Sequence, residues 1–195
     1  MDTTHGGFRL ATTALDWVFD EQLFFETDAD RLHVVGSSMG SLGASFFVSR
    51  YDRPIYSAGF AHGSINAVRL YYEDDYNSGA LEAWKGRLEH NLGGPPLDGE
   101  GGAETSWYPR YEDLSLELAV AGGGIDVPLM HLWSANDPVS LEVAHQDMPD
   151  VLRDHYDAAG RPWYDYDSQV PFHSVVHSLD YPYATMALVR FLDRL

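Results

Sequence analysis

The amino-acid sequence predicts an α/β protein whose parallel sheet of about four strands is covered by helices. Three observations lead to this fold class. Short apolar runs rich in β-branched residues recur along the chain, stretches with apolar residues at helical spacing separate them, and the runs end in glycine or polar turn-forming residues. Strands that alternate with helices build a parallel sheet, and such sheets bind ligands beyond the carboxyl ends of their strands.

The amino-terminal part of the chain supplies the first two strands. Apolar residues at helical spacing predict a helix over residues 8–26, and a β-branched run at 31–36 predicts the first buried strand. Small and apolar residues over 39–51 predict the next helix. The second predicted strand follows at 54–60.

Residues 66–126 depart from the α/β pattern. Connections in α/β folds are usually a few residues long, whereas about 60 residues separate the second predicted strand from the third. The stretch is rich in aromatic residues: Tyr71, Tyr72, Tyr76, Trp84, Trp107, Tyr108 and Tyr111. We interpret it as an insertion with short helices at 78–90 and 111–121, which either covers the core or forms a cap above the strand ends.

The carboxyl-terminal part completes the predicted sheet. Residues 127–133 form the third strand, a helix with a bend or restart at Pro149 follows over 141–159, and residues 162–167 form the fourth strand. Pro182 suits the first turn of a last helix, whose apolar residues recur at helical spacing up to the end of the chain.

The charge balance excludes several kinds of partner. The 195 residues, the length of a single domain, carry 30 acidic and 12 basic side chains, a net charge of −18. Because nucleic acid and anionic membranes would be repelled, we expect neither as a partner. The sequence has no apolar run of membrane-spanning length and no signal-peptide pattern. It has no cysteine, which excludes disulfides, a thiolate metal site and a cysteine nucleophile, and which leaves the compartment open.

The basic residues are almost all arginine, and Lys85 is the one lysine. An acidic surface nearly free of lysine stays hydrated when salt screens its self-repulsion. This composition is typical of salt-adapted proteins, and a coding bias toward arginine explains it equally well.

A serine in a glycine-rich turn is the strongest candidate nucleophile. Residues 36–40 read Gly-Ser-Ser-Met-Gly, which fits the pattern G-x-S-x-G with Ser38 at its centre, between a predicted strand and a predicted helix. On such a turn the serine hydroxyl stands clear of the backbone, and Gly36 and Gly40 are expected to relieve crowding. The Met39 N–H, at the start of the helix, is expected to point at the oxyanion that forms when the serine attacks a carbonyl.

A serine nucleophile needs a base, and the base needs an orienting carboxylate. Asp137 follows the third predicted strand and His173 follows the fourth, which gives the order Ser, Asp, His along the chain. Asp126 and Asp147 are weaker alternatives for the acid because neither follows a strand end as directly. His177 is the weaker alternative for the base because it lies one helical turn from the last helix.

Three further residues are candidates for contact with substrate: Ser37, His62 and Trp133. Each lies at or just after the carboxyl end of a predicted strand. His173 and His177 have the i, i+4 spacing of a zinc motif, but the glutamate that would activate water is missing from it. We therefore expect no metal and no cofactor.

Taken together, these motifs resemble the α/β-hydrolase superfamily from about residue 28 to the end of the chain. Residues 30–40 are similar to the nucleophile elbow of esterase, depolymerase and prolyl-oligopeptidase-type members, with Ser41 where many have a second glycine. Residues 126–138 are similar to the acid-bearing strand and loop, and His173 falls at the catalytic-histidine position. Members carry further strands and a glycine-rich oxyanion loop before the elbow, where only one helix is predicted here. The resemblance therefore implies a partial fold, incomplete at its amino-terminal end, with an exposed sheet edge available for self-association.

The resemblance implies a serine hydrolase that acts by acyl transfer on a small ester or peptide. We expect carboxylic ester hydrolysis, because an ester demands less activation of its leaving group than an amide. A serine peptidase of the prolyl-oligopeptidase type is the first alternative. The missing front part of the fold leaves two others, a non-catalytic relic and a half-enzyme completed by a partner chain.

Overall fold

A parallel sheet of four strands lies at the centre of the computed structural model, which describes residues 3–20, 28–61, 66–72, 79–99, 101–133, 147–167, 189–193 and 195. The strands are β1 (His33–Ser37), β2 (Ser57–Ala61), β3 (Leu129–Trp133) and β4 (Trp163–Asp167), hydrogen-bonded in that order. Parallel neighbours require a crossover connection between each pair. The predicted α/β class with a parallel sheet is confirmed.

Helices connect and cover these strands. Their bounds are α1 (Thr3–Asp20), α2 (Met39–Arg50), α3 (Ala67–Tyr72), α4 (Gly79–Leu92), α5 (Tyr108–Leu114), α6 (Leu116–Ala121) and α7 (Met148–Leu152). A 3₁₀ turn over Ala29–Arg31 precedes β1, a π-helical turn over Arg153–Asp157 continues α7, and residues 189–192 are helical. None of the described helices is long and apolar enough to cross a membrane.

The first helix begins at Thr3 rather than at residue 8. Two other differences from the predicted helices have local reasons. Helices α5 and α6 replace the single helix predicted over 111–121, because Ser115 has an extended backbone between them. Pro149 lies in the first turn of α7, where a residue without an N–H leaves no intrahelical hydrogen bond unmade. The part of the predicted helix at residues 141–146 lies outside the described residues.

The register of the sheet aligns residues in rows across the strands. One row consists of Val34, Ala58, Leu129 and Trp163. The next row toward the carboxyl ends consists of Gly36, Phe60, His131 and Asp165. Because residues two apart in a strand share a face, both rows belong to the same face of the sheet.

The main hydrophobic core lies between this face and helices α2, α6 and α7. Its buried members are Ala44, Val48, Ala58, Phe60, Leu116, Val120, Ile125, Leu129, Met148, Leu152 and Tyr156. Burying a side chain of leucine or phenylalanine size contributes about 1.5–3 kcal/mol, so this cluster attaches all three helices to the sheet. The stretch 66–126, predicted as an insertion or a cap, thus supplies α6 to the main core.

A second hydrophobic core joins α2 to the other helices of that stretch. Leu42 and Phe46 of α2 pack with buried residues of α3, α4 and α5: Ala67, Tyr71, Leu88, Leu92, Tyr111 and Leu114. Tyr111 is fully buried, and its hydroxyl donates a hydrogen bond to the Gly94 carbonyl at 2.9 Å. Helix α2 therefore packs against both the sheet and the aromatic stretch.

Candidate active site

Ser38 lies at the turn between β1 and α2 and has an unusual backbone conformation. Its φ is 53° and its ψ is −128°. Among the described non-glycine residues, Ser38 is the one with a positive φ. Strain of this kind costs on the order of 1–3 kcal/mol and persists only where neighbouring contacts hold the residue in place. The strand, turn and helix form the setting in which G-x-S-x-G presents a nucleophile.

Hydrogen bonds from both sides hold this turn. The Ser38 N–H donates to the Ala61 carbonyl of β2 at 2.9 Å, and the Ser41 N–H donates to the Ser38 carbonyl at 2.9 Å. The Ser41 hydroxyl, on a residue that is only 2% exposed, also donates to the Ala61 carbonyl, at 3.3 Å. One carbonyl at the end of β2 thus ties down both the candidate nucleophile and the first turn of α2. The sequence comparison of Ser41 with glycine did not anticipate this contact.

The two glycines of the motif have different surroundings. A Cβ on Gly36 would lie 2.6 Å from the Gly40 carbonyl oxygen and 2.7 Å from both the Ala44 Cβ and the Ser41 Cα. Glycine at this position therefore lets β1 approach α2 closely. Gly40 is exposed, and a Cβ there meets no atom within 4 Å in the part of the chain that the structure describes. The expected relief of crowding thus applies to Gly36, and the described residues give no such role to Gly40.

The start of α2 provides backbone donors beside Ser38. Met39 is the first residue of α2, and the first N–H groups of a helix have no acceptor within the helix. The aligned peptide dipoles add a partial positive charge of about half a unit at this end. Negative charge that develops on a carbonyl oxygen next to Ser38 is stabilised by both effects, which is the physical basis of the oxyanion role predicted for Met39.

Two of the predicted substrate-contact residues are described. Ser37 is half-buried at the end of β1, in register with Ala61. Trp133 ends β3, is 8% exposed and stacks on His131, with ring centroids 6.3 Å apart and planes 8° from parallel. Most of the Trp133 ring is therefore already in contact with the protein. The other predicted site residues lie outside the described residues: His62, Asp137, His173 and His177.

The two alternative acids are both engaged elsewhere. Asp126 precedes β3, at the amino end of the sheet, whereas Ser38 lies at the carboxyl end. It also forms an ion pair with Arg161. Asp147 directly precedes α7 and forms an ion pair with Arg69, with nitrogen and oxygen 2.6 Å apart. The described contacts of both carboxylates are thus ion pairs with arginine.

A buried polar group between α3, α6 and β3 was not predicted from the sequence. It consists of Asn66, Arg69, Glu117 and His131. Glu117 is 7% exposed; burial raises the pKa of its carboxyl, and the Arg69 charge and the Asn66 amide lower it only in part. Among the described residues, no group of three or more His, Asp or Glu side chains is placed to hold a metal ion.

Comparisons with solved structures recover the same fold. No protein-family model matches the sequence, and no curated protein matches it. An inhibited esterase B from Lactobacillus rhamnosis matches with a TM-score of 0.67 at 15% identity, over 96% of this chain and 60% of that one. The acylaminoacyl peptidase of Pyrococcus horikoshii matches with a TM-score of 0.62 at 16% identity, over 93% of this chain and 26% of that one. A puromycin-hydrolyzing peptidase of Mycobacterium tuberculosis matches with a TM-score of 0.61 at 18% identity, over 93% of this chain and 22% of that one.

These likenesses define the class of structure: the chain has an α/β-hydrolase-like fold. It spans between 22% and 60% of the length of the three matched structures. At identities of 15–18% the likeness concerns the fold, and one fold hosts many activities. The chemistry must therefore be argued from the residues of this chain.

Proposed function

We propose that the chain is a serine hydrolase that cleaves carboxylic esters by acyl transfer. The observation that carries the proposal is the backbone of Ser38, held at φ 53° between β1 and α2. This conformation lowers stability. It supports the proposal because a serine at a strained turn from strand to helix is the setting in which a nucleophile stands beside the first N–H groups of the helix. A nucleophile and an oxyanion donor need that proximity.

In the proposed mechanism the Ser38 Oγ bonds to the ester carbonyl carbon while His173 takes the hydroxyl proton. The Met39 N–H stabilises the oxyanion of the tetrahedral intermediate, and Asp137 holds the imidazole in the required tautomer. The alcohol then leaves with the proton from the imidazole. A water molecule, deprotonated by the same imidazole, releases the acid and restores the serine.

A fluorophosphonate probe tests the nucleophile, because only an activated serine reacts with it rapidly. We expect labelling of the native chain and none of Ser38→Ala. The matched control is Ser49→Ala on the same helix, where the hydroxyl donates only to a backbone carbonyl, that of Phe46. This control should be labelled like the native chain. Persistent labelling of Ser38→Ala would show that the nucleophile is another residue.

The proposed substrate is a small ester bound beyond the carboxyl ends of the strands, where Ser37, His62 and Trp133 border it. Esters are preferred over amides because an alcohol leaves with less protonation than an amine. Peptide hydrolysis is the second candidate, and the likeness to two peptidases favours it. Turnover of a short p-nitrophenyl ester is compared with turnover of a prolyl anilide. Faster cleavage of the anilide would contradict the ester proposal.

The exposed sheet edge favours a different class of function. β1 is an edge strand of the described sheet, and Val35 in it is 41% exposed. An unpaired edge accepts another strand. On this alternative to the active esterase, the chain is a half-enzyme completed by a second chain, or a non-catalytic binding protein with a relic triad. Labelling of the native chain but not of His173→Ala would exclude the relic. A monodisperse monomer that is labelled at low concentration would exclude the half-enzyme.

A further inference from the structure

Hydrogen bonds join Ser38, Ser41 and the Ala61 carbonyl in a closed ring. The Ser38 N–H and the Ser41 hydroxyl both donate to the Ala61 carbonyl, at 2.9 Å and 3.3 Å. The Ser41 N–H donates to the Ser38 carbonyl at 2.9 Å. The ring therefore connects the last residue of β2, the candidate nucleophile and the first turn of α2.

This ring restrains both backbone torsions of Ser38. Rotation about φ would turn the Ser38 N–H away from Ala61, and rotation about ψ would turn the Ser38 carbonyl away from Ser41. A strained φ persists only where the surrounding contacts over-determine it. Without the Ser41 hydroxyl, the hydrogen bonds of the ring would tie the start of α2 to β2 only through Ser38 itself, which could then relax.

Ser41 lies close to both strands beside the turn. A Cβ on Gly36 of β1 would stand 2.7 Å from the Ser41 Cα, and the Ser41 hydroxyl reaches the end of β2. Met39, which supplies the proposed oxyanion donor, lies in the same helical turn. A displacement of Ser41 would therefore displace this donor relative to the candidate nucleophile.

A second buried serine of α2 provides an internal comparison. Ser45 follows Ser41 by four residues, so the two side chains share a face of the helix. Ser41 is 2% exposed and Ser45 is 0% exposed. Within the part of the chain that the structure describes, the Ser45 hydroxyl oxygen has no hydrogen-bond partner. The two serines thus match in burial and in helix face, and they differ in the bond to Ala61.

We propose that Ser41 is a positioning residue: its hydroxyl anchors the start of α2 to the Ala61 carbonyl and thereby holds the Ser38 backbone and the Met39 N–H in the geometry for attack. The inference rests on the proposed function, since this geometry matters to activity only if Ser38 is the nucleophile. Ser41 acts through the turn rather than on the substrate. Its effect is greatest in the transition state, where charge develops on the carbonyl oxygen.

Two substitutions that each remove one buried oxygen test this role. Ser41→Ala removes the hydroxyl that donates to Ala61, and alanine suits a helix better than serine, so a loss of activity cannot come from helix propensity. Ser45→Ala is the matched control. Three quantities are measured on the full chain: the rate of fluorophosphonate labelling, kcat and KM for a short p-nitrophenyl ester, and the midpoint of urea unfolding.

In Ser41→Ala we expect labelling and kcat to be about tenfold slower, less than the roughly hundredfold loss that a misplacement of about 1 Å causes. KM should stay within about twofold of the native value, because an interaction made only in the transition state lowers kcat without weakening substrate binding. Ser45→Ala should keep the native labelling rate and kcat. Both variants should be fully folded in the absence of urea.

The positioning role and the proposed function fail in different ways. Native labelling and kcat in Ser41→Ala would show that its hydroxyl does not hold the turn, and an equal loss in Ser45→Ala would show that the bond to Ala61 is not the cause. A raised KM with a native kcat would place Ser41 in substrate binding, and unfolding of Ser41→Ala without urea would make its role structural. Absence of labelling in the native chain would mean that the proposed function itself has failed, and the positioning role with it.

Discussion

The turn at Ser38 and the second hydrophobic core around Tyr111 both pack on α2, and they are held by opposite means. The turn combines a strained backbone with backbone hydrogen bonds and a contact too close for a Cβ at Gly36. In the second core, large aromatic side chains fill the space, and the Tyr111 and Tyr72 hydroxyls donate to backbone carbonyls. Beyond Ser38, positive φ angles among the described residues are confined to glycine. Strain is thus concentrated where we propose the chemistry, as is typical of functional sites.

The largest effect is expected from adding one carbon atom at the turn. In Gly36→Ala the new Cβ would overlap the Gly40 carbonyl, the Ser41 Cα and the Ala44 Cβ, which are backbone or short side-chain atoms that cannot rotate away. Overpacking of this kind should lower the free energy of unfolding by about 3 kcal/mol. Urea unfolding of the native chain and of Gly36→Ala measures this difference in the free energy of unfolding. A loss below about 1 kcal/mol would show that β1 and α2 are not packed this closely.

A smaller effect is expected from removing one oxygen atom in the second core. Tyr111→Phe keeps the buried ring and leaves the Gly94 carbonyl without its 2.9 Å donor. The free energy of unfolding should fall by about 1–2 kcal/mol, the usual consequence of an unsatisfied buried acceptor. Labelling of Ser38 by fluorophosphonate should stay at the native rate, because the second core carries none of the proposed chemistry. Tyr108→Phe is the control, because this ring is only half-buried, and it should lower the free energy of unfolding by less.

The buried carboxylate of Glu117 should make stability depend on pH. Its pKa in the fold is raised above the ordinary value of 4.5, so the folded chain binds this proton more tightly than the unfolded chain. The contribution is present at low pH and is lost as the pH rises above about 4.5. Relative to the native chain, Glu117→Gln should therefore gain stability between pH 4 and pH 7, by up to about 1 kcal/mol.

Urea midpoints of the native chain and Glu117→Gln at pH 4, 5.5 and 7 measure this difference. Glu112→Gln, at an exposed position of α5, is the matched control and should show a much smaller trend. If Glu117→Gln instead loses stability relative to the native chain as the pH rises, the Arg69 charge outweighs desolvation and the stated direction of the pKa shift is wrong.

Local patterns predicted the sheet well, because a short apolar run between turn-forming residues most often forms a buried strand. The second strand was predicted from residue 54 but begins at Ser57, and the proline at 54 has no N–H to donate to a neighbouring strand. The stretch 66–126 was predicted as one insertion with two short helices, and its division between two cores was not predicted. Its division between two cores depends on which face of α2 each helix meets, and no local pattern encodes that choice.

In the candidate site, too, local sequence patterns predict only what is contiguous in the chain. Ser38 was predicted because its strand, turn and helix are contiguous in the sequence. The polar group of Asn66, Arg69, Glu117 and His131 was not, because Arg69 and Glu117 are 48 positions apart in the chain. A buried glutamate in an otherwise apolar helix, Leu116–Ala121, is the one signal that sequence reasoning had available for it.

The smallest effect is expected at the second glycine of the motif, four residues from the first. Gly40 is an exposed residue of α2, and a Cβ there meets no described atom within 4 Å. Alanine restricts the unfolded chain and suits a helix, so Gly40→Ala should raise stability by about 0.5 kcal/mol, or roughly 1–2 °C in Tm. The same added carbon thus has opposite signs at Gly36 and Gly40, because one position faces a packed helix and the other does not. A fall in Tm for Gly40→Ala would mean that packing around Ser38 restricts both glycines, and the strained turn would then extend further into α2 than the described contacts indicate.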